Sequence, residues 1–258
     1  MSHMHREEAL TTERARVISI HEVNRYPIEP FQQIYTPNRA ENNIKRAFDI
    51  LISLTVIVFI LSWLLPLLAI LIKLDSRGPV FFIQKRVGAY GRLFSCFKLR
   101  SMVVNHLANT QQAELNDPRI TGFGKFLRVS CLDELPQFFN VLKGDMSIVG
   151  PRPHMIKDCK EFSKVIKHYN TRNLVKPGIT GMAQVKGYRG KTEDYYDVFH
   201  RYKWDMFYVR NRNFFLDMRI IRLTVTSTIS TVFSTFGKNK KVEETVISYD
   251  LETSEYLN

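Results

Sequence analysis

The chain has 258 residues, 45% hydrophobic and 12% aromatic, enough to bury one substantial core and too apolar for a wholly disordered protein. Its 37 basic against 25 acidic residues leave a formal charge of +12, which implies an anionic partner: nucleic acid, an acidic lipid leaflet or a phosphorylated substrate. Three cysteines, Cys96, Cys131 and Cys159, lack Cys-x-x-Cys spacing, which argues against a disulfide framework or structural zinc and fits a reducing, cytosol-facing environment.

In chain order, residues 1–40 read as a loosely docked N-terminal arm, polar and broken by Pro27, Pro30 and Pro37, with Met1-Ser-His-Met4 resembling a cloning remnant. Residues 41–73 read as a membrane helix: Ile50 to Ile72 carries no charge and only Ser53, Thr55 and Ser62 as polar groups, and about 20 apolar residues suffice to span a bilayer. The preceding polar stretch rules out a cleaved signal peptide. Lys45 and Arg46 lie before the segment, and Lys73, Arg77, Lys85 and Arg86 after it. Positive charge marks the cytoplasmic side, so two basic flanks favour a re-entrant helix that returns to the face it entered, with a straight span left open. Pro66 supplies a kink by removing a backbone donor and crowding the Ser62 carbonyl, and the Ser62 hydroxyl can help satisfy the freed groups.

Beyond the turn Asp75-Ser-Arg-Gly-Pro79, Val80–Ile83 and Leu93–Phe97 predict two strands of a hairpin closed by Gly88-Ala-Tyr-Gly91. Residues 101–117 are helical or irregular, and Asp117-Pro118 turns toward Gly124–Arg128. Leu132, Leu135, Phe139 and Leu142 fall on one helical face, with Asp133 and Glu134 at the helix entrance and Pro136 suited to its first turn. Adjacent carboxylates point about 100° apart on a helix, so one can attack or bind metal while its neighbour handles a proton or a second ligand. Ser130 and Asp133 alternatively resemble a capping box. Arg152, between two prolines, suits a phosphate clamp or a salt bridge, and Lys143 with Asp145 can tighten the loop after the helix. Lys176-Pro-Gly-Ile-Thr-Gly181 is either an ordinary loop or one whose amides approach phosphate. Tyr195–Arg212 is an aromatic, arginine-rich helix. Phe214–Phe236 is an amphipathic helix for the membrane surface or for the protein's own core, and residues 237–258 form a charged tail.

Eight motifs stand in order between Lys45 and Ile229: Lys45-Arg-Ala-Phe-Asp49, Leu74-Asp-Ser-Arg-Gly-Pro-Val80, Gln84-Lys-Arg-Val-Gly88, Lys98-Leu-Arg-Ser-Met102, Asp117-Pro-Arg-Ile-Thr121, the run from Asp133-Glu134 to Arg152, Lys176–Gly181 with Ala183-Gln-Val185, and Phe215-Leu-Asp217. With them the chain resembles the bacterial sugar transferase family, the monotopic polyprenyl-phosphate phosphoglycosyl transferases. The resemblance implies an α+β, mainly helical catalytic domain over residues 74–236, with a small β-hairpin, a kinked re-entrant anchor and surface amphipathic helices, facing the cytoplasm on the bacterial inner membrane.

It also implies Mg²⁺, a UDP-sugar and undecaprenyl phosphate as substrates, anionic lipids around the protein, a homodimer, and no nucleic acid. Asp133 would attack the sugar-side phosphate and expel UMP, and Glu134 would assist, both of them also candidate metal ligands. Lys98, Arg100, Arg152, Gln184, Arg189 and Asp217 would bind substrate or support its phosphates. Leu65 before Pro66, Met182, Lys186 and Arg210-Asn-Arg212 depart from the family pattern and leave the sugar unassigned. The family's larger members carry an N-terminal multi-helix region, so the chain is expected to be a minimal member or an excised catalytic part. Two other classes fit parts of the sequence: a basic membrane-surface or nucleic-acid-binding module, from the charge, and a soluble sugar nucleotidyl enzyme with a core helix at 50–72.

Overall fold

The computed structural model describes residues 39–105, 108, 111–113, 117–190 and 195–236. The expected arm, up to residue 38, and the expected tail lie outside the described residues. The described chain is mainly helical: α1 (Arg39–Val56), α2 (Ser62–Asp75), α3 (Gly122–Val129), α4 (Gln137–Lys143), α5 (Ile156–Val165), α6 (Met182–Val185), α7 (Tyr195–Asn211) and α8 (Phe214–Phe236). Strands β1 (Phe81–Val87) and β2 (Leu93–Leu99) form the predicted hairpin, paired from Phe81↔Leu99 to Val87↔Leu93. Tyr90 at φ 54° and Gly91 at φ 76° close its turn.

A second pair, parallel β3 (Ser147–Val149) and β4 (Gly178–Thr180), was not anticipated. It corrects the idea of open amides in the Lys176–Gly181 motif. The Gly178 amide donates to Pro151 O at 3.0 Å, and Thr180 O accepts from Gly150 N at 2.9 Å. A Cβ on Gly178 would lie 2.1 Å from Gly150 N, so this glycine permits strand-to-loop contact.

Residues Ala40–Asp75 make one helix of 36 residues, about 54 Å at 1.5 Å per residue. It is long and apolar enough to cross a membrane, and its outer surface is hydrocarbon: Leu51, Val58, Phe59, Trp63, Ile70 and Leu74 are exposed, Phe59 by 72%. A fully exposed side chain of this kind forgoes about 1.5–3 kcal/mol in water. The helix departs from α geometry in a π-helical turn at Ile57–Leu61, one turn before Pro66. There the Ser62 hydroxyl donates to Val58 O at 2.6 Å and Trp63 Nε1 to Phe59 O at 2.9 Å. Ser62 therefore serves a carbonyl of the π turn rather than the group freed by Pro66.

Both ends of this helix dock on the same body. At the N-terminal end, Lys45 pairs with Asp217 at 2.6 Å, and Arg46 donates to Val141 O and Leu142 O at 2.6 and 2.8 Å, neutralising the last carbonyls of α4. Asp49 Oδ1 accepts from Ile148 N at 3.1 Å, at the start of β3. At the C-terminal end, Leu68 and Ile72 pack with Leu99 and Leu127, and Arg100 reaches back to the carbonyls of Ile72 and Ser76. A further core under α7 gathers Ile166, Tyr169, Val198, Tyr202 and Met206. Asn140, fully buried, accepts from Phe97 N at 3.0 Å and donates to Ser95 O at 2.7 Å, covering the edge of β2 with α4.

Asp217 also lies 2.8 Å from the Tyr208 hydroxyl. Burial holds its carboxyl above the ordinary aspartate range, with Lys45 as the main counterweight. Lys45→Met should lower stability by about 2–3 kcal/mol, as when one member of a largely buried pair is removed. It should also raise the Asp217 pKa further. An acid with a raised folded pKa loses stability as pH rises from its unfolded value through its folded one, so the variant's thermal midpoint in detergent should fall further below wild type as the pH is raised from acid to neutral.

Candidate active site

Asp133 and Glu134 occupy a 3₁₀ turn, Leu132–Glu134, wedged between α3 and α4. The chain enters it through Cys131 in the left-handed region at φ 59°, a conformation that costs a non-glycine residue energy. Ser130 belongs to the end of α3, and its hydroxyl donates to Phe126 O at 2.7 Å. The capping-box reading is thereby excluded. Pro136 sits where α4 begins, with φ −61° suited to a helix start.

Both carboxylates are buried, and their surroundings separate them. Glu134 accepts a forked pair from Arg152, with Nη1 at 3.1 Å from Oε2 and Nη2 at 2.5 Å from Oε1, and a third bond from Lys98 Nζ at 2.8 Å. Burial alone would raise its pKa, but Arg152 and Lys98 hold it well below the ordinary glutamate range. Asp133 receives no hydrogen bond from any described residue. Burial, then the charge on Glu134, push its carboxyl above the ordinary aspartate range, outweighing Lys98, Arg128 and Arg152. This is opposite to the direction expected from a helix N-terminus.

Arg152 is itself braced. Pro151 and Pro153 restrict its backbone, and Arg172 Nη2 donates to its carbonyl at 2.7 Å. Arg172 is held in turn by Asp205, at 2.6 Å, in an ion pair buried on both sides. Sequence reading missed this pair. Val198, Tyr202, Asp205 and Val209 form one buried face of α7, and an acid on such a face needs a buried cation; that was the available signal.

The turn opens on a cavity of about 350 Å³ whose described lining carries eight Lys and Arg side chains against three carboxylates. Lys98, Arg100, Asp133, Glu134, Arg152 and Arg189 all face this one space. Arg189 Nη2 lies 2.9 Å from Cys131 Sγ, beside the strained residue. Arg100 is divided between the cavity and the end of α2. Gln184 and Asp217 are not among the lining residues: Gln184 Nε2 donates to Ile179 O at 3.3 Å, and Asp217 is the partner of Lys45. Arg128 and His154 line the cavity without having been singled out.

Among the described residues no three His, Cys, Asp or Glu side chains form a metal-holding group. Mg²⁺ is commonly held by one or two carboxylates together with water and substrate phosphate. Asp133, free of hydrogen bonds, supplies one such carboxylate, whereas both oxygens of Glu134 are occupied by Arg152 and Lys98.

An acidic pair split in this way, inside a cationic cavity, is chemistry suited to an anionic ligand. Residues 40–231 match the family model described as bacterial sugar transferase, and the chain belongs to that family. It is 52% identical over 174 residues to a UDP-glucose:undecaprenyl-phosphate glucose-1-phosphate transferase of Xanthomonas campestris pv. campestris, covering 66% of this chain and 36% of that protein. It is 43% identical to a UDP-N-acetylgalactosamine-undecaprenyl-phosphate N-acetylgalactosaminephosphotransferase of Aeromonas hydrophila, over 75% of this chain and 44% of that one. An exopolysaccharide production protein of Rhizobium leguminosarum bv. phaseoli is 42% identical over 72% of this chain and 96% of its own length. The chain thus spans well under half of the first two relatives.

The raised pKa of Asp133 means that its ionised form weakens the fold: the associated stability is present at low pH and lost as pH rises through the folded pKa. Asp133→Asn should therefore raise the unfolding midpoint near pH 8, with the gain shrinking as the pH is lowered, read by calorimetry in detergent.

Proposed function

We propose that the chain transfers a hexose 1-phosphate from a UDP-sugar to undecaprenyl phosphate, releasing UMP. The observation that carries this reading is the asymmetry of the acidic pair. Glu134 is saturated by Arg152 and Lys98, while Asp133 has no hydrogen bond and faces the cationic cavity. In the first step an Asp133 oxygen attacks the sugar-side phosphorus; the new O–P bond forms as the bond to UMP breaks. In the second, a phosphate oxygen of undecaprenyl phosphate attacks the same phosphorus, a lipid diphosphate sugar leaves, and the Asp133 carboxylate is restored. A carboxylate is a weak nucleophile, adequate here because Lys98 and Arg152 neutralise charge developing on the phosphoryl oxygens. Mg²⁺ would be held by Asp133 together with water and substrate phosphate, Glu134 being taken up by Arg152 and Lys98, and would supply further neutralisation of that charge. The reaction fits the first membrane step of exopolysaccharide, capsule or O-antigen synthesis.

The lipid acceptor explains the anchor. Lys45, Arg46 and Asp49 at one end of the long helix and Leu68, Ile72 and Asp75 at the other touch one body, and a single body cannot lie on both sides of a bilayer. This supports a re-entrant helix in the inner membrane with the catalytic domain on the cytoplasmic face. The exposed Phe215, Val225, Ile229 and Phe233 of α8, together with the net positive charge, support a second contact with anionic lipid. A homodimer is compatible with this arrangement. The cavity gathers many of the cations inward, which favours a small anionic substrate over nucleic acid.

Asp133→Asn should cut UMP release from UDP-sugars by more than about 10³-fold; turnover near wild type would refute the mechanism. Cysteines introduced at Asn43 and Ser76, with Cys131 replaced by Ser, should both react with impermeant reagent only from the cytoplasmic side. Labelling from opposite sides would refute re-entry.

A further inference from the structure

No residue of the motif Gln84-Lys-Arg-Val-Gly88 takes part in the reaction proposed above, yet Arg86 stands in the wall of the same cavity. On the hairpin Arg86 is paired with Phe94, and Phe82 with Lys98. Residues two apart along a strand share a face, so Arg86 and Lys98 project from one surface of the sheet, toward its opposite ends. Lys98 reaches Glu134, and Arg86 reaches the segment that carries Arg152, its Nη1 donating to Pro153 O at 3.3 Å. That long bond is its one partner among the described residues: Nε and Nη2 make none, and no carboxylate pairs with it. Neither nitrogen is sealed inside the protein, as Nε and Nη1 of Arg100 are, so this edge of the guanidinium is open to a ligand. Burial is the largest influence on the group and lowers its pKa, the mark of a charge dehydrated without a matching counterion.

Other cations of the wall are occupied: Lys98 and Arg152 by Glu134, Arg119 by Asp117, and Arg100 by carbonyls at the end of α2. Arg128 makes no bond to any described residue either, but its charge acts on Asp133 directly. The charges that act on Arg86 include Arg152 and Glu134, which sets it beside that pair and one step away from the reacting carboxylate. A guanidinium with a free Nε and Nη2 presents two parallel N–H groups, the fork that fits two oxygens of a phosphate. Displacement at phosphorus runs in line, with attacking and leaving oxygens on opposite sides. When Asp133 attacks, the nucleotide's phosphate leaves on the far side and takes the electron pair of the broken P–O bond. When Asp133 is displaced, an oxygen of the lipid phosphate must enter on that same far side. One position thus serves two phosphates in turn. Resting on the transferase reading above, we propose that Arg86 holds this position, binding the leaving phosphate of UMP in the first step and the phosphate of the lipid acceptor in the second.

The test uses the full chain in detergent with Arg86→Gln, which removes the charge, and Arg86→Lys, which keeps it without the fork. UMP affinity, read by calorimetric titration, should fall about 10–100-fold in Arg86→Gln, the effect of losing charge-assisted hydrogen bonds, and Arg86→Lys should recover part of it. kcat/KM for undecaprenyl phosphate should fall by a similar factor, measured with whichever of UDP-glucose and UDP-N-acetylgalactosamine the wild type turns over. A guanidinium without a counterion does not hold the fold together, so the ligand-free unfolding midpoint of Arg86→Gln should equal or exceed that of wild type. Unchanged UMP affinity would overturn the assignment. So would UMP affinity and ligand-free midpoint falling together in both variants, which would make Arg86 a structural residue. Weakened UMP binding with unchanged kcat/KM for the lipid would overturn the shared position. Because UMP binding needs no turnover, a wild-type chain that binds UMP through Arg86 but transfers nothing from either donor refutes the transferase reading and leaves the phosphate contact standing.

Discussion

Two carboxylates on one buried turn repel each other and both lose hydration, an arrangement that survives only with compensation. Here the compensation is unequal. Arg152 and Lys98 satisfy Glu134 with three charge-assisted bonds, and Asp133 is left to carry its charge without hydrogen bonds. The site's chemistry follows from that inequality, because a carboxylate tied into three bonds is a poor nucleophile and one free of them is a better one.

The rest of the fold supplies the parts that maintain it. Lys98 comes from β2, whose next turn brings Arg100 to the C-terminal carbonyls of α2, so the strand that holds Glu134 also holds the end of the apolar helix. Arg152 follows β3, which is anchored to α1 through Asp49 and to α7 through Arg172 and Asp205. The long apolar helix and the acidic turn are thus joined by single strands rather than by a flexible linker. That short path would suit the proposed reaction between a soluble nucleotide and a membrane-bound acceptor.

Features encoded within a short stretch of chain were legible in the sequence. The hairpin, the uncharged run from Ile50, the helix after Pro136 and the local order of Asp133, Glu134 and Arg152 depend on periodicity and turn residues that are visible in place. Contacts between distant segments were not. Nothing near Gly178 announces that it packs on Gly150, and nothing near Arg172 announces Asp205. Ser130 looked like a helix start because a cap and a helix end use the same residue types. Asp217 looked like a site residue because it recurs in a motif, whereas its partners are Lys45 and Tyr208. The lowered pKa of His154 depends on burial and on Arg172 and Arg201, which lie far along the chain, and could not be read from composition.

The most direct measurement is the intact mass of the protein after incubation with its UDP-sugar and Mg²⁺ but no lipid acceptor. Attack by Asp133 predicts a species heavier by one phosphosugar, mapped by peptide analysis to Asp133, formed together with UMP and discharged when undecaprenyl phosphate is added. UMP release that occurs only with the acceptor present, with no adduct at any time during turnover, would contradict it.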